Sequence, residues 1–139
     1  MVENTLVKEL LTPEMIASGE KLTRKLDESG VPIPVAMWFF LPEINEWRLI
    51  FASPHVFQYG RRETYLKIEE ARRALGAELG DLPLSAIGVW DTNDELVQRL
   101  RMAVHTGPGL TRVRFSKNTI NGHFIDDALI YRIANDDMR

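Results

Sequence analysis

Hydrophobic positions recur with two different periods along this chain, and each change of period marks an element. Leu6, Val7, Leu10 and Leu11 have helical spacing and predict a short N-terminal helix. Thr12-Pro13 then reads as an N-cap followed by proline at the first helical position. The next helix carries Met15, Gly19, Leu22 and Leu26 on one stripe, with Glu20 and Arg24 four apart in the favourable order. Gly30 ends it, and Pro32 and Pro34 prevent its return. Val35–Leu41 is apolar throughout and bracketed by prolines, which predicts a strand covered on both faces. Residues 42–46, which include Glu43 and Glu46, turn the chain. Residues 47–52 return as a second strand, and Ser53-Pro54 stops it.

A second amphipathic helix is predicted over 61–79, burying Tyr65, Ile68, Ala71, Leu75 and Leu79. Glu63–Lys67 and Glu69–Arg73 support its wet face. A third apolar strand follows over 84–90. The acidic run Asp91 to Glu95 opens a helix whose inward positions are Leu96, Val97, Leu100, Ala103 and Val104. Gly107-Pro108-Gly109 stops that helix. Asn121-Gly122 predicts a two-residue type I′ hairpin. Its register opposes Ile120 to His123, Lys117 to Asp126, Phe115 to Ala128 and Val113 to Ile130. The order helix, hairpin, helix, strand, helix, hairpin implies an α/β fold of one domain across residues 1–139. Its five-stranded mixed sheet is built from two hairpins and one crossover strand, with helices on both sides.

Strand parity sorts the final hairpin into two faces. Val113, Phe115, Phe124, Ala128 and Ile130 form the expected core face. Arg112, Arg114, Ser116, Asn118, His123, Asp127 and Tyr131 form a polar face, which Ile125 and Leu129 share. Arg112, Arg114, Asn118, His123 and Tyr131 are the candidate platform for an anionic ligand or a partner protein. The default reading is a solvated hairpin face. His123 and Asp127 lie ~13 Å apart along a regular strand, too far for a base and its orienting carboxylate, unless a bulge near Asp126-Asp127 shifts parity.

A second candidate is the segment from Ser53 to Arg62, which enters a helix N-terminus. Arg61 and Arg62 there oppose the helix dipole, as an anion site would require, and Gly60 lets the backbone approach. The plain alternative pairs these arginines with Asp81 or Glu63. His55, His105 and His123 have no metal-ligand spacing, and His105 suits a helix C-terminus. Asp91, Asp94 and Glu95 are explained by capping.

Composition narrows the functional classes. The 139 residues suit one domain, and 45% hydrophobic with 27% charged residues is ordinary globular usage. No cysteine is present, which removes disulfides, thiolate metal sites and cysteine nucleophiles. The net charge of −3 argues against a protein living on non-specific phosphate contacts. The longest apolar run falls far short of the ~20 residues of a membrane span. Met-Val-Glu-Asn-Thr has no signal-peptide character.

Residues 31–43 and 114–128 resemble an uncharacterised family of short bacterial proteins with no assigned function. The resemblance implies a bacterial, cytoplasmic setting and carries over no functional residues. The early helix and hairpin are also similar to the restriction-endonuclease-like core, but residues 47–52 lack that fold's Glu-x-Lys triplet. No catalytic residue, metal or cofactor is expected. The leading expectation is a non-enzymatic interaction module that self-associates or binds a protein partner. The alternatives are a phosphate-ester or nucleic-acid binding or cleaving protein using Arg61, Arg62, Arg112, Arg114 and Lys117, and a small-ligand sensor with a pocket where strands lead into helices.

Overall fold

The computed structural model describes residues 7–139. Helix α1 (Pro13–Glu28) starts where expected: the Thr12 hydroxyl accepts from the Met15 amide at 3.1 Å, with Pro13 in the first turn. Strands β1 (Val35–Leu41) and β2 (Glu46–Ser53) form the first hairpin. A five-residue helix α2 (His55–Tyr59) follows, then α3 (Arg61–Leu75). Strand β3 (Ile87–Asp91) lies parallel to β2, and α4 (Glu95–Ala103) leads to the hairpin of β4 (Val113–Ile120) and β5 (His123–Ile133). The sheet order is β3-β2-β1-β5-β4, so the most apolar strand is central.

That placement decides the layers. Every β1 residue but Leu41 is buried. Its even-numbered side chains, Ala36, Trp38 and Phe40, pack with Leu22 and Leu26 of α1 and Ile68 and Ala71 of α3. Its odd-numbered ones, Val35, Met37 and Phe39, pack with Val97 and Leu100 of α4. Helices therefore cover both faces of the mixed sheet.

The α1 side is fixed by close contact. Trp38 Nε1 donates to the Tyr131 hydroxyl at 3.0 Å and to the Met15 carbonyl at 3.2 Å. The Tyr131 hydroxyl in turn donates to the Ile16 carbonyl. Gly19 lies against this pair: a Cβ there would stand 2.5 Å from the Tyr131 hydroxyl oxygen and 2.7 Å from Trp38 Nε1. Next along β5, a shift of register opposite Ala36 and Met37 leaves Tyr131 unpaired and turns Arg132 to the same side. Arg132 is buried, yet fully satisfied. It meets Asp27 through two nitrogens at 3.0 and 2.8 Å and donates to the carbonyls of Pro108 and Ile33.

The two sheet rims differ. On β3, the carbonyls of Ile87 and Val89 accept from the Tyr65 hydroxyl at 3.2 Å and Arg61 Nε at 2.9 Å, so α3 reaches down over that rim. Among the described residues the β4 rim has no such cover, but Lys117 breaks it with φ of 46°.

Several expectations need correction. Residues 7–12 are an extended strap and not a helix, while Leu6 lies outside the described residues. Asn45 holds the strap at both edges, accepting from the Glu9 amide at 2.9 Å and donating to the Val7 carbonyl at 3.0 Å. Trp47 Nε1 adds a bond to the Glu9 carbonyl at 2.8 Å. The helix expected over 61–79 ends at Leu75, because Gly76 takes φ of 55°, and a 3-10 turn completes the segment. Residues 84–86 form another 3-10 turn, so β3 starts at Ile87. Of the surface pairs, Glu69–Arg73 forms, but Glu20 turns to Arg112 and Lys67 to Glu70.

The last hairpin keeps its register: Val113 opposes Ile130, Phe115 opposes Ala128 and Ile120 opposes His123. Lys117 and Asp126 drop out of the ladder together, and this exchanges the faces beyond them. Ile120 and Ile125 enter the α4-side core, while Phe124, expected in the core, is 62% exposed. The hairpin tip thereby reaches α4, where the Asn121 carbonyl accepts from Arg99 and Asn121 Nδ2 donates to the Arg99 carbonyl at 3.0 Å.

Two substitutions test these constraints. Asn121 and Gly122 have φ of 47° and 83°, so Gly122→Val should destabilise by about 1–3 kcal/mol in urea unfolding. Gly19→Ala should overpack the Trp38–Tyr131 pair by about 1–3 kcal/mol, which exceeds the gain of about 1 kcal/mol in helix propensity. A melting temperature at or above that of the parent would show that the pair yields.

Candidate functional site

The expected polar face is divided by the break at Lys117 and Asp126. Arg112, Arg114, Ser116 and Asp127 stay on the α1 side. Asn118 pairs with Ile125 and His123 with Ile120, which puts both on the α4 side. Tyr131 is wholly buried, and burial pushes its phenol pKa up. His123 and Asp127 are therefore no acid–base pair.

The α1-side remainder centres on Asp127, only 4% exposed. Arg114 grips it through Nε at 2.6 Å and Nη2 at 2.7 Å, and Ser116 Oγ donates at 2.9 Å. Lys8, from the strap, reaches it at 2.8 Å and reaches Asp126 at 3.0 Å. Both cations also lie over aromatic rings: Lys8 Nζ is 4.6 Å from the Phe40 centroid, and the Arg114 guanidinium is 5.4 Å from that of Trp47. Burial alone would raise the Asp127 pKa. The bonds from Arg114, Lys8 and Ser116 outweigh it and hold the carboxyl well below its ordinary value. Lys8 was missed in the sequence because 119 positions separate it from Asp127.

The arginines do not share one cleft. Arg112 is drawn to Glu20 of α1 at 3.4 Å. Arg61 lies over β3, the opposite rim from β4, a separation of about 19 Å across four strand spacings. Arg62 is exposed on α3. The acidic run at 91–95 caps a helix: Asp94 Oδ1 accepts from the Leu96 amide at 2.9 Å and from Val97. Among the described residues no group of three or more His, Asp or Glu side chains is placed to hold a metal ion.

Two of the concavities have linings suited to a partner or a small ligand. A groove of about 590 Å³ lies between the strap, the β1–β2 turn and residues 85–86. Leu10, Met15, Ile44, Trp47 and Ala86 supply its apolar lining, and Glu9 with the ion-paired Glu46 and Arg48 its charge. Leu10 is 78% exposed and Ile44 52%, with Val7 still more exposed beside them.

The second is a cleft of about 400 Å³ beyond the C-terminal end of β2. His55 lines it in a fixed pose. Its amide donates to Ser53 Oγ at 3.1 Å, and that hydroxyl donates to the Pro32 carbonyl at 2.6 Å. Its ring lies 4.5 Å from that of Tyr59, and Nδ1 is 2.7 Å from Thr64 Oγ1. Burial, with the Lys67 charge beside it, holds the imidazole below the usual histidine value, and Glu63 acts in the opposite sense. The sequence offered only an isolated histidine here, because Thr64 and Lys67 lie on another helix.

No family model, no curated protein and no solved structure matches this chain.

The Asp127 cluster makes acid stability testable. Its folded pKa lies below the unfolded value of about 4. Its contribution is therefore present above that pH and is lost as the pH falls toward the folded value. Asp127→Asn should lower urea stability near neutrality by about 1–3 kcal/mol. It should also flatten the loss of stability between about pH 5 and about pH 3. An unchanged acid slope would show that Asp127 titrates as it does in the unfolded chain.

Proposed function

We propose that this protein is a non-enzymatic interaction module that works by self-association or within a bacterial cytoplasmic assembly. The observation that carries the reading is the groove beside the strap. Its lining joins Leu10 and Ile44, two well-exposed aliphatic side chains, to the half-buried Met15 and the Trp47 ring. Contiguous apolar surface with a polar border is the usual character of a protein contact. The strap is held by side chains of the hairpin it crosses, so the groove keeps its shape without a partner. The catalytic alternative has less support, because the cations it would use are spread over both rims and the strongest of them, Arg114, is already neutralised by Asp127. No described helix is long and apolar enough to cross a membrane, which agrees with partners met in water.

Sedimentation velocity at micromolar concentration tests the proposal. The chain should run heavier than its 15.9 kDa monomer. The double substitution Leu10→Asp, Ile44→Asp should return it to the monomer and leave its melting temperature unchanged, since both side chains are exposed. A parent chain that sediments as a monomer removes self-association. A double variant that keeps the parent's mass removes the groove.

A further inference from the structure

The cleft over His55 has a chemistry that the groove does not share. Thr64 is buried, and its hydroxyl donates to the Gly60 carbonyl at 3.0 Å. With that proton on the Gly60 carbonyl, the 2.7 Å contact with His55 is a bond donated by Nδ1. In that arrangement the neutral ring is the Nδ1–H form, and the Nε2 lone pair is its free acceptor. Glu63 and Lys67, one turn apart on α3, line the same cleft. They do not neutralise each other: Lys67 approaches Glu70 at 3.8 Å, and Glu63 makes no ion pair among the described residues. The cleft thus offers an acceptor, an anion and a cation, beside the apolar surfaces of Tyr59 and Pro32. It lies beyond the carboxyl end of β2, beside the loop at Gly30 and Pro32 that enters β1. About 400 Å³ is also within the range of small-molecule sites.

We propose that this cleft binds a free amino acid with an apolar side chain: the ammonium group donates to His55 Nε2 and Glu63, the carboxylate pairs with Lys67, and the side chain lies against Tyr59 and Pro32. A molecule with only one of the two charges can meet only one of Glu63 and Lys67. The inference is independent of the groove and of any self-association.

Nitrogen NMR of the imidazole rings in the full chain, titrated with L-phenylalanine, tests it. Hydrocinnamate and phenethylamine serve as the matched probes that lack the ammonium and the carboxylate. The unliganded spectrum should show His55 as the Nδ1–H tautomer. L-Phenylalanine should move the Nε2 resonance saturably, with an affinity at least about 10-fold above either one-charge probe. Glu63→Gln and Lys67→Met, both at exposed positions, should each weaken L-phenylalanine about 10-fold and leave the melting temperature unchanged. An Nε2–H tautomer overturns the proposal. So does the absence of a saturable shift at His55, or hydrocinnamate or phenethylamine binding as tightly as L-phenylalanine.

Discussion

The central strand β1 sets the terms for everything around it. A seven-residue strand that is apolar on both faces cannot lie at a rim or face water on either side. It needs a hydrogen-bonded neighbour on each edge and a packed layer above and below. The first hairpin supplies one neighbour, and the last strand of the chain, β5, supplies the other, so the two ends of the sequence must meet before β1 is complete. The layers divide by parity: α1 and α3 cover Ala36, Trp38 and Phe40, and α4 covers Val35, Met37 and Phe39. The glycine at position 19 belongs to the same constraint, because the paired Trp38 and Tyr131 rings leave no room for a Cβ between α1 and the sheet.

Polar groups enter this scheme where strand regularity fails. The register shift at Tyr131 turns the next side chain, Arg132, to the α1 side, where Asp27 and two carbonyls meet its donors. The break at Lys117 and Asp126 lets Asp127 stay on one face while Ile125 enters the core of the other. In both places a buried charge is tolerated because every strong donor or acceptor around it is matched. Asp127 and Arg132 thus tie the strap and the C-terminal end of α1 to the same strand, one near the middle of β5 and one next to its last residue.

Much of the fold was legible because it rests on local signals. Thr12-Pro13 marked the start of α1, the unbroken apolar run marked β1, and Asn121-Gly122 fixed the register of the last hairpin. What failed was non-local. Residues 7–12 have helical spacing, but their backbone is satisfied by Asn45 and Trp47, some 38 positions away. The exchange of faces at Lys117 depends on how the hairpin tip meets α4, so parity counted from the turn placed Phe124 inside and Ile125 outside. Of the candidate site residues, Arg114 and Arg112 were placed on the correct face, but their partners Asp127, Lys8 and Glu20 are assembled from three segments. His55 gave no signal, since the threonine hydroxyl beside its Nδ1 comes from the next helix.

The treatment of the two sheet rims bears on what kind of assembly this molecule can join. Backbone carbonyls of β3 are occupied by Tyr65 and Arg61, and the ladder of β4 is interrupted at its middle by a residue in the left-handed region. Neither rim can template another strand along its whole length, so copies of the chain have no route to an endless ribbon through their main chains. Any association is left to side-chain surfaces, and it closes into a countable complex only where one patch meets its own copy about a two-fold axis.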